Sequence, residues 1–172
     1  MSTSQPSTQS AAARRSAETE LRTLIAKFAP ASAASHRRLI GAMRRSLRKR
    51  LPTAHEVVYE YRDCFVISYS PSERGYEGVF VIRGSADGVR LYFNSGNGLP
   101  DPAKLLRGSG TKSRWIEVES ASTLARPAVA RLIDEAIACN RVPFARAGGA
   151  SVVIRSTSAR QRGRRRRERP AT

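Results

Sequence analysis

The spacing of apolar residues along this chain changes near residue 56, from a period of three to four residues to a period of two. Before that point, the spacing predicts an amphipathic helix from Ser16 to Pro30 and a second helix from about residue 33 to residue 50. After it, apolar and polar residues alternate, which is typical of half-buried strands. Because the helices come first and the strands follow as a run, the pattern indicates an α+β fold.

Strand-like runs occupy most of the segment from residue 56 to residue 120. Four consecutive antiparallel strands are expected first, and the last two meet at Asp87-Gly88, a pair typical of a type I′ hairpin turn. KSRWIEVES is the predicted fifth strand, a closing helix is predicted from Pro127 to about Asn140, and ASVVI at 150–154 is too short to assign. We therefore expect an antiparallel sheet of about five strands with the N-terminal and C-terminal helices packed on one face.

Positive charge is concentrated at the two ends of the chain. The sequence has 31 Lys and Arg against 14 Asp and Glu, and the net charge of +17 divides into +9 for residues 1–52, +1 for 53–150 and +7 for 151–172. Residues 1–15 are polar and the last 22 residues are rich in like charges, so both are predicted to be disordered. A single domain from residue 16 to residue 150 is left between them.

The second predicted helix has a cationic face opposite its apolar stripe. A basic face and an arginine run are typical of sequence-nonspecific RNA or DNA binding, although a GC-rich coding sequence also enriches arginine. His36 falls nearer the apolar side and is expected to be a buried, neutral imidazole. The candidate nucleic-acid-binding residues are Arg37, Arg38, Arg44, Arg45, Arg48, Lys49, Arg164, Arg165, Arg166 and Arg167.

A glycine-rich segment, SGNGLPDPAKLLRGSG, lies between the fourth and fifth predicted strands. Successive amides of a glycine loop can bind an anion, and neighbouring cations would hold a phosphate or carboxylate. The competing interpretation is that the glycines only permit the turns. The candidate anion-binding residues are Arg107, Gly108, Gly110, Lys112, Arg114 and Trp115.

Signatures of catalysis, metals and membranes are weak. His36 and His55 are the only histidines, and neither lies in a nucleophile–base arrangement. Cys64 and Cys139 are far apart and are expected to be small core residues, so no cofactor or metal is predicted. No apolar run is long enough to span a membrane, and no secretory signal is evident, so we expect a cytoplasmic, non-enzymatic protein with no membrane partner.

The order of several short motifs over residues 53–140 resembles the YdhG-like family, a bacterial domain of unknown function with a frataxin-like α+β fold. The matching motifs are Leu99-Pro100-Asp101-Pro102, Leu106, Gly108-Ser109-Gly110, Arg114-Trp115-Ile116, Leu124 and Pro127. The resemblance implies a helix-and-sheet sandwich and a role in iron handling.

Iron handling needs clustered carboxylates, and this sequence places its few acidic residues beside a strongly basic helix. Glu56 and Glu60 are instead expected to form solvated ion pairs with Arg62 or Arg44. The sequence therefore favours a non-catalytic binding or accessory module, with an anionic small ligand at the Gly-Ser-Gly loop. The alternative is nonspecific nucleic-acid binding, and the third hypothesis is an iron chaperone, which the missing acidic ridge disfavours. The oligomeric state and the natural partner are not specified by these patterns.

Overall fold

A computed structural model describes residues 9–28 and 33–156. It contains three α-helices and six strands, with short 3₁₀ turns between some of them. In chain order these are α1 (Ala11–Phe28), α2 (Ala33–Arg50), β1 (His55–Glu60), β2 (Cys64–Ser70), β3 (Phe80–Ser85), β4 (Gly88–Phe93), β5 (Arg114–Glu117), α3 (Pro127–Ala138) and β6 (Val152–Ser156).

The strands form one sheet in the order β5-β4-β3-β2-β1-β6. All neighbours are antiparallel except β1 and β6, which run parallel. The predicted α+β class and the run of antiparallel strands are confirmed, but the described residues form six strands where about five were expected. The extra strand, β6, lies in the segment that was predicted to be disordered, and Val152 is 1% exposed. A five-residue run carries little periodicity, and pairing with β1, almost a hundred positions away, determines its structure.

The helix α1 begins five residues before the predicted N-terminal boundary of the domain. Ser10 rather than Ser16 accepts the capping hydrogen bond, with 3.2 Å between its Oγ and the nitrogen of Ala13. The side-chain amide of Gln9 exchanges two hydrogen bonds with the backbone of Val152, at 2.9 and 3.1 Å. These contacts order a stretch that composition alone predicts to be unstructured. The rest of the predicted arm (1–8), the predicted helix stop Pro30 and the tail from residue 157 lie outside the described residues.

The helices pack on one face of the sheet, as predicted. Leu21 of α1, Met43 of α2 and Ile133 of α3 are all fully buried in one hydrophobic core, together with alternate residues of the strands. The predicted apolar stripes of α1 and α2 are confirmed, since Leu24 and Ile25 are also buried and Ile40 and Leu47 are fully buried.

The turn between β3 and β4 differs by one residue from the expected hairpin. Ser85 pairs with Gly88, so Ala86 and Asp87 form the turn and Gly88 follows it with a φ of 126°. Among the described residues, Lys104 is the only non-glycine residue with a positive φ, so the predicted type I′ geometry at Asp87 is wrong. Gly88 still supplies the left-handed backbone that the tight connection needs.

Candidate functional site

The cationic face of α2 divides into two groups. Arg37, Arg38, Arg45 and Lys49 are exposed, as predicted for a nucleic-acid-binding face. Arg44 is buried and Arg48 is half-buried, and both turn toward carboxylates inside the fold. The prediction that all six cations are available to a ligand is therefore wrong for these two.

Glu56 of β1 is the centre of a buried ionic network. It lies on the helix-covered face of the sheet and is 1% exposed. Arg44 donates to its two carboxylate oxygens, from Nε at 3.0 Å and from Nη2 at 2.7 Å. The hydroxyl of Tyr69 donates to Oε1 at 2.7 Å, and Arg48 donates to Oε2. The predicted pairing of Glu56 with Arg44 thus exists, but it is buried rather than solvated.

Glu18 extends the network to the first helix. Its carboxylate accepts from Nη2 of Arg44 at 2.9 and 3.0 Å and from Nη2 of Arg48 at 2.6 Å. We call Glu18, Arg44, Arg48, Glu56 and Tyr69 the ionic network. It connects α1, α2 and the sheet, because its members belong to α1, α2, β1 and β2.

The ionic network shifts the pKa values of its members. Burial alone would lower the pKa of Arg44, but the hydrogen bonds and charge of Glu56, with the charge of Glu18, outweigh it and raise that pKa above its ordinary value. Burial and then the charge of Glu56 raise the pKa of Tyr69 well above its usual range. Both groups therefore stay protonated, and both keep the donors that Glu56 requires.

We predict an acid-dependent loss of stability through Glu18. Burial opposes its ionisation, but hydrogen bonds from Arg48 and the charge of Arg44 prevail and lower its pKa. Its contribution is therefore fully present above its unfolded-state pKa and is lost as the pH falls through the lower folded-state value. Glu18→Gln is expected to reduce the unfolding free energy at about pH 7, and the difference from wild type is expected to shrink only as the pH falls below about 4.

Urea denaturation at several pH values measures this effect. Glu20→Gln is the matched control, because Glu20 lies two positions away on the same helix and is exposed. A Glu18→Gln deficit that stays constant with pH would contradict the assigned role of the Glu18 charge.

A groove between α1 and α2 borders the network on its outer side. It has a volume of about 360 Å³ and is lined by Glu18, Arg22, Ile25, Arg37, Gly41, Arg44, Arg45 and Arg48. A Cβ at Gly41 would lie 3.5 Å from Nη1 of Arg45, so the guanidinium lies back over this position. We call this the arginine groove. Five arginines line it against one glutamate, and no ion pair within the described residues includes Arg22, Arg37 or Arg45.

Backbone carbonyls from the end of the Gly-Ser-Gly loop onward are engaged within the protein. Four consecutive carbonyls, from Gly110 to Ser113, accept hydrogen bonds from Arg114 and Asn97. Gly108 has a φ of 103° and lies against the Trp115 ring, where a Cβ would be 3.1 Å from two ring atoms. Arg107 forms a backbone bridge with Trp115, and Lys112 is exposed. These contacts support the interpretation in which the glycines permit turns, and anion binding at this loop stays a prediction.

The described histidines, cysteines and acidic residues do not gather into a metal site. No cluster of three or more His, Cys, Asp or Glu side chains suited to a metal occurs in the part of the chain that the structure describes. The carboxylate of Glu60 pairs with Lys27 of α1. His55 contacts the Ser151 hydroxyl at 2.6 Å. Cys64 is buried as predicted, but Cys139 is exposed, so its assignment to the core is wrong.

Sequence reasoning missed Glu18 and Tyr69 as members of the network. A signal for Glu56 was present, because it alternates with Val58 on the strand and therefore occupies a core-facing position. An acidic residue at such a position needs buried cationic partners.

Comparisons with known proteins identify no relative of this chain. No protein-family model, curated protein or solved structure matches the chain. No helix within residues 9–28 and 33–156 has the length and apolar character that crossing a membrane requires.

Proposed function

We propose that this chain is a non-catalytic binding module that holds the phosphate backbone of nucleic acid in the arginine groove, without reading the base sequence. The observation that carries the proposal is the lining of the groove, where five arginines meet one glutamate. Arg44 and Arg48 already neutralise that glutamate. The remaining cations, Arg22, Arg37 and Arg45, have guanidinium groups available for phosphate oxygens.

A ligand with several phosphates suits this surface better than a small anion does. Arg38 and Lys49 lie exposed on the same helix, beyond the groove. A small anion contacts one or two guanidiniums, whereas a chain of phosphates gains from each further cation it neutralises. The Arg164–Arg167 run in the sequence adds charge of the same kind. The positive charge therefore favours a polyanion.

Removing the three free arginines tests the proposal. We expect the triple variant Arg22→Gln, Arg37→Gln, Arg45→Gln to bind single-stranded RNA more weakly. The plot of log K against log salt should become less steep by about 2, at about 0.7 for each lost phosphate contact. Fluorescence anisotropy over a salt series measures both quantities.

The matched control removes three arginines elsewhere. Arg126, Arg131 and Arg141 are exposed and lie outside the groove, so their replacement by Gln changes the net charge equally. An equal loss of affinity in both triple variants would show that only net charge matters and would refute the groove. Replacing Arg164–Arg167 by Gln in the full chain measures the separate contribution of that run.

The remaining expectations from the sequence stay proposals. The YdhG-like assignment and its frataxin-like sandwich are supported by the packing of helices on one face of a mainly antiparallel sheet.

The small-anion site at the Gly-Ser-Gly loop would be supported by a phosphate-dependent rise in melting temperature that Lys112→Ala with Arg114→Ala abolishes. We do not propose an iron chaperone, because Glu18, Glu56 and Glu60 each pair with a cation.

A further inference from the structure

A second cleft lies on the other side of Arg45 from the arginine groove. It has a volume of about 590 Å³ and separates α2 from β4 and the segment that follows β5. Its lining residues are Ser35, His36, Arg38, Leu39, Ala42, Arg45, Gly88, Val89, Val118, Glu119, Ser120 and Ala121. We call it the His36 cleft. Arg45 lines both cavities, so the two are adjacent along α2.

The walls of the cleft combine apolar and cationic groups. Leu39, Val89 and Val118 offer aliphatic surface. Two exposed cations, Arg38 and Arg45, outnumber one exposed carboxylate, Glu119. The volume lies within the range of about 300–1,000 Å³ that is common for small-ligand sites. This combination suits a ligand with a flat apolar part and a nearby negative charge.

One polar atom at this cleft lacks a partner. His36 is 7% exposed, and its Nε2 is buried with no hydrogen bond among the described residues. A buried polar atom without a partner costs about 1–3 kcal/mol, and such atoms are rare in native structures. Burial lowers the pKa of His36, so the ring is neutral and offers one donor and one acceptor nitrogen.

We propose that the His36 cleft seats one unstacked base of a single-stranded nucleic acid whose backbone lies in the arginine groove. The base packs against Leu39, Val89 and Val118. A rotation of the His36 ring on binding brings the buried Nε2 into the cleft, where the polar edge of the base supplies the partner that this atom lacks. Arg38 and Arg45 hold the adjoining phosphates. Proteins that bind single strands commonly take up bases splayed out in this way, whereas a paired base in a duplex is not available. This inference rests on the proposed function and adds a preference for single strands.

The experiment compares three probes on the full chain: a mixed-sequence single-stranded RNA, an abasic strand of the same length, and the corresponding RNA duplex. We expect His36→Leu to weaken binding of the single-stranded RNA about three- to tenfold, as the loss of one hydrogen bond to the base would do. Binding of the abasic strand and of the duplex should not change. The salt dependence should also stay the same, because no phosphate contact is lost.

A second variant guards against a folding defect in the first. Ala42→Leu fills the cleft from a half-buried helix position and should give the same selective loss. Ala130→Leu, at a half-buried position of α3 outside the cleft, is the matched control and should bind all three probes like wild type.

The outcomes separate this inference from the proposed function. Equal weakening for all three probes, or no weakening by either cleft variant, would overturn the base site while leaving backbone binding intact. If the wild-type protein bound none of the probes at low salt, the proposed function would fail, and the base site with it.

Discussion

Glu56→Ala is expected to lower the free energy of unfolding by about 3–5 kcal/mol, because it removes the buried carboxylate that balances the guanidinium of Arg44. Glu56 is 1% exposed and accepts hydrogen bonds from Arg44, Arg48 and Tyr69. Without it, the guanidinium of Arg44 keeps only Glu18, and the Tyr69 hydroxyl is buried without its partner. Denaturation in urea, followed by circular dichroism, gives the change in unfolding free energy.

A surface glutamate on the same sheet provides the comparison. Glu117 is exposed, and its oxygen lies 4.0 Å from Arg90, so Glu117→Ala should cost no more than about 1 kcal/mol. Converting the buried pair to apolar residues, as Glu56→Leu with Arg44→Met, should recover much of the loss, since desolvation of both charges is then avoided. If Glu56→Ala and Glu117→Ala proved equally mild, the ionic network would not hold α1 and α2 to the sheet.

The ion pairs of the ionic network also separate the structural cations of α2 from those proposed to bind phosphate. Arg44 and Arg48 fix α2 against Glu18 and Glu56, which neutralises the acidic groups nearest the arginine groove. Arg22, Arg37 and Arg45 then face solvent, with no acidic partner in the part of the chain that the structure describes. The excess charge of the helix therefore has two roles, one in stability and one at the surface, and only the second is open to a polyanion.

Local patterns predicted the parts of the fold that local physics determines. Helix α2 has the predicted bounds because its apolar residues recur every three to four positions on one face from Leu39 to Leu47, which is a strong signal. The strands from β1 to β4 were predicted because each has its own local pattern, and short turns join β1 to β2 and β3 to β4. Strand β6 and the ordered start of α1 depend on partners far away in the sequence, so no local window contains the information.

The candidate site was predicted only in part for a related reason. A helical projection gives the angle of Arg44 and Arg48 on α2, but it does not show that Glu18 and Glu56 lie within reach. Likewise, the composition of the glycine-rich segment does not show that the carbonyls from Gly110 to Ser113 accept hydrogen bonds from Arg114 and Asn97. The side of a helix follows from periodicity, whereas the identity of its neighbours follows from tertiary packing.

Phe65→Ala and Gly84→Ala are each expected to destabilise the fold, but their effects should not add. Phe65 is fully buried and pairs across the sheet with Gly84, and a Cβ at Gly84 would lie 2.5 Å from two Phe65 ring atoms. Removing the ring leaves a cavity that costs about 3–5 kcal/mol, and inserting the methyl group costs about 1–3 kcal/mol by overpacking.

In the double variant, the methyl group that Gly84→Ala introduces enters space that the ring has vacated, so the clash is removed and part of the cavity is filled. The double variant should therefore be more stable than the sum of the single changes implies, with a coupling of about 1–3 kcal/mol. Gly98→Ala is the control, since a Cβ there meets no atom within 4 Å, and it should be nearly neutral. Additive effects in the cycle would show that Phe65 does not occupy the space above Gly84, and the register between β2 and β3 would then be wrong.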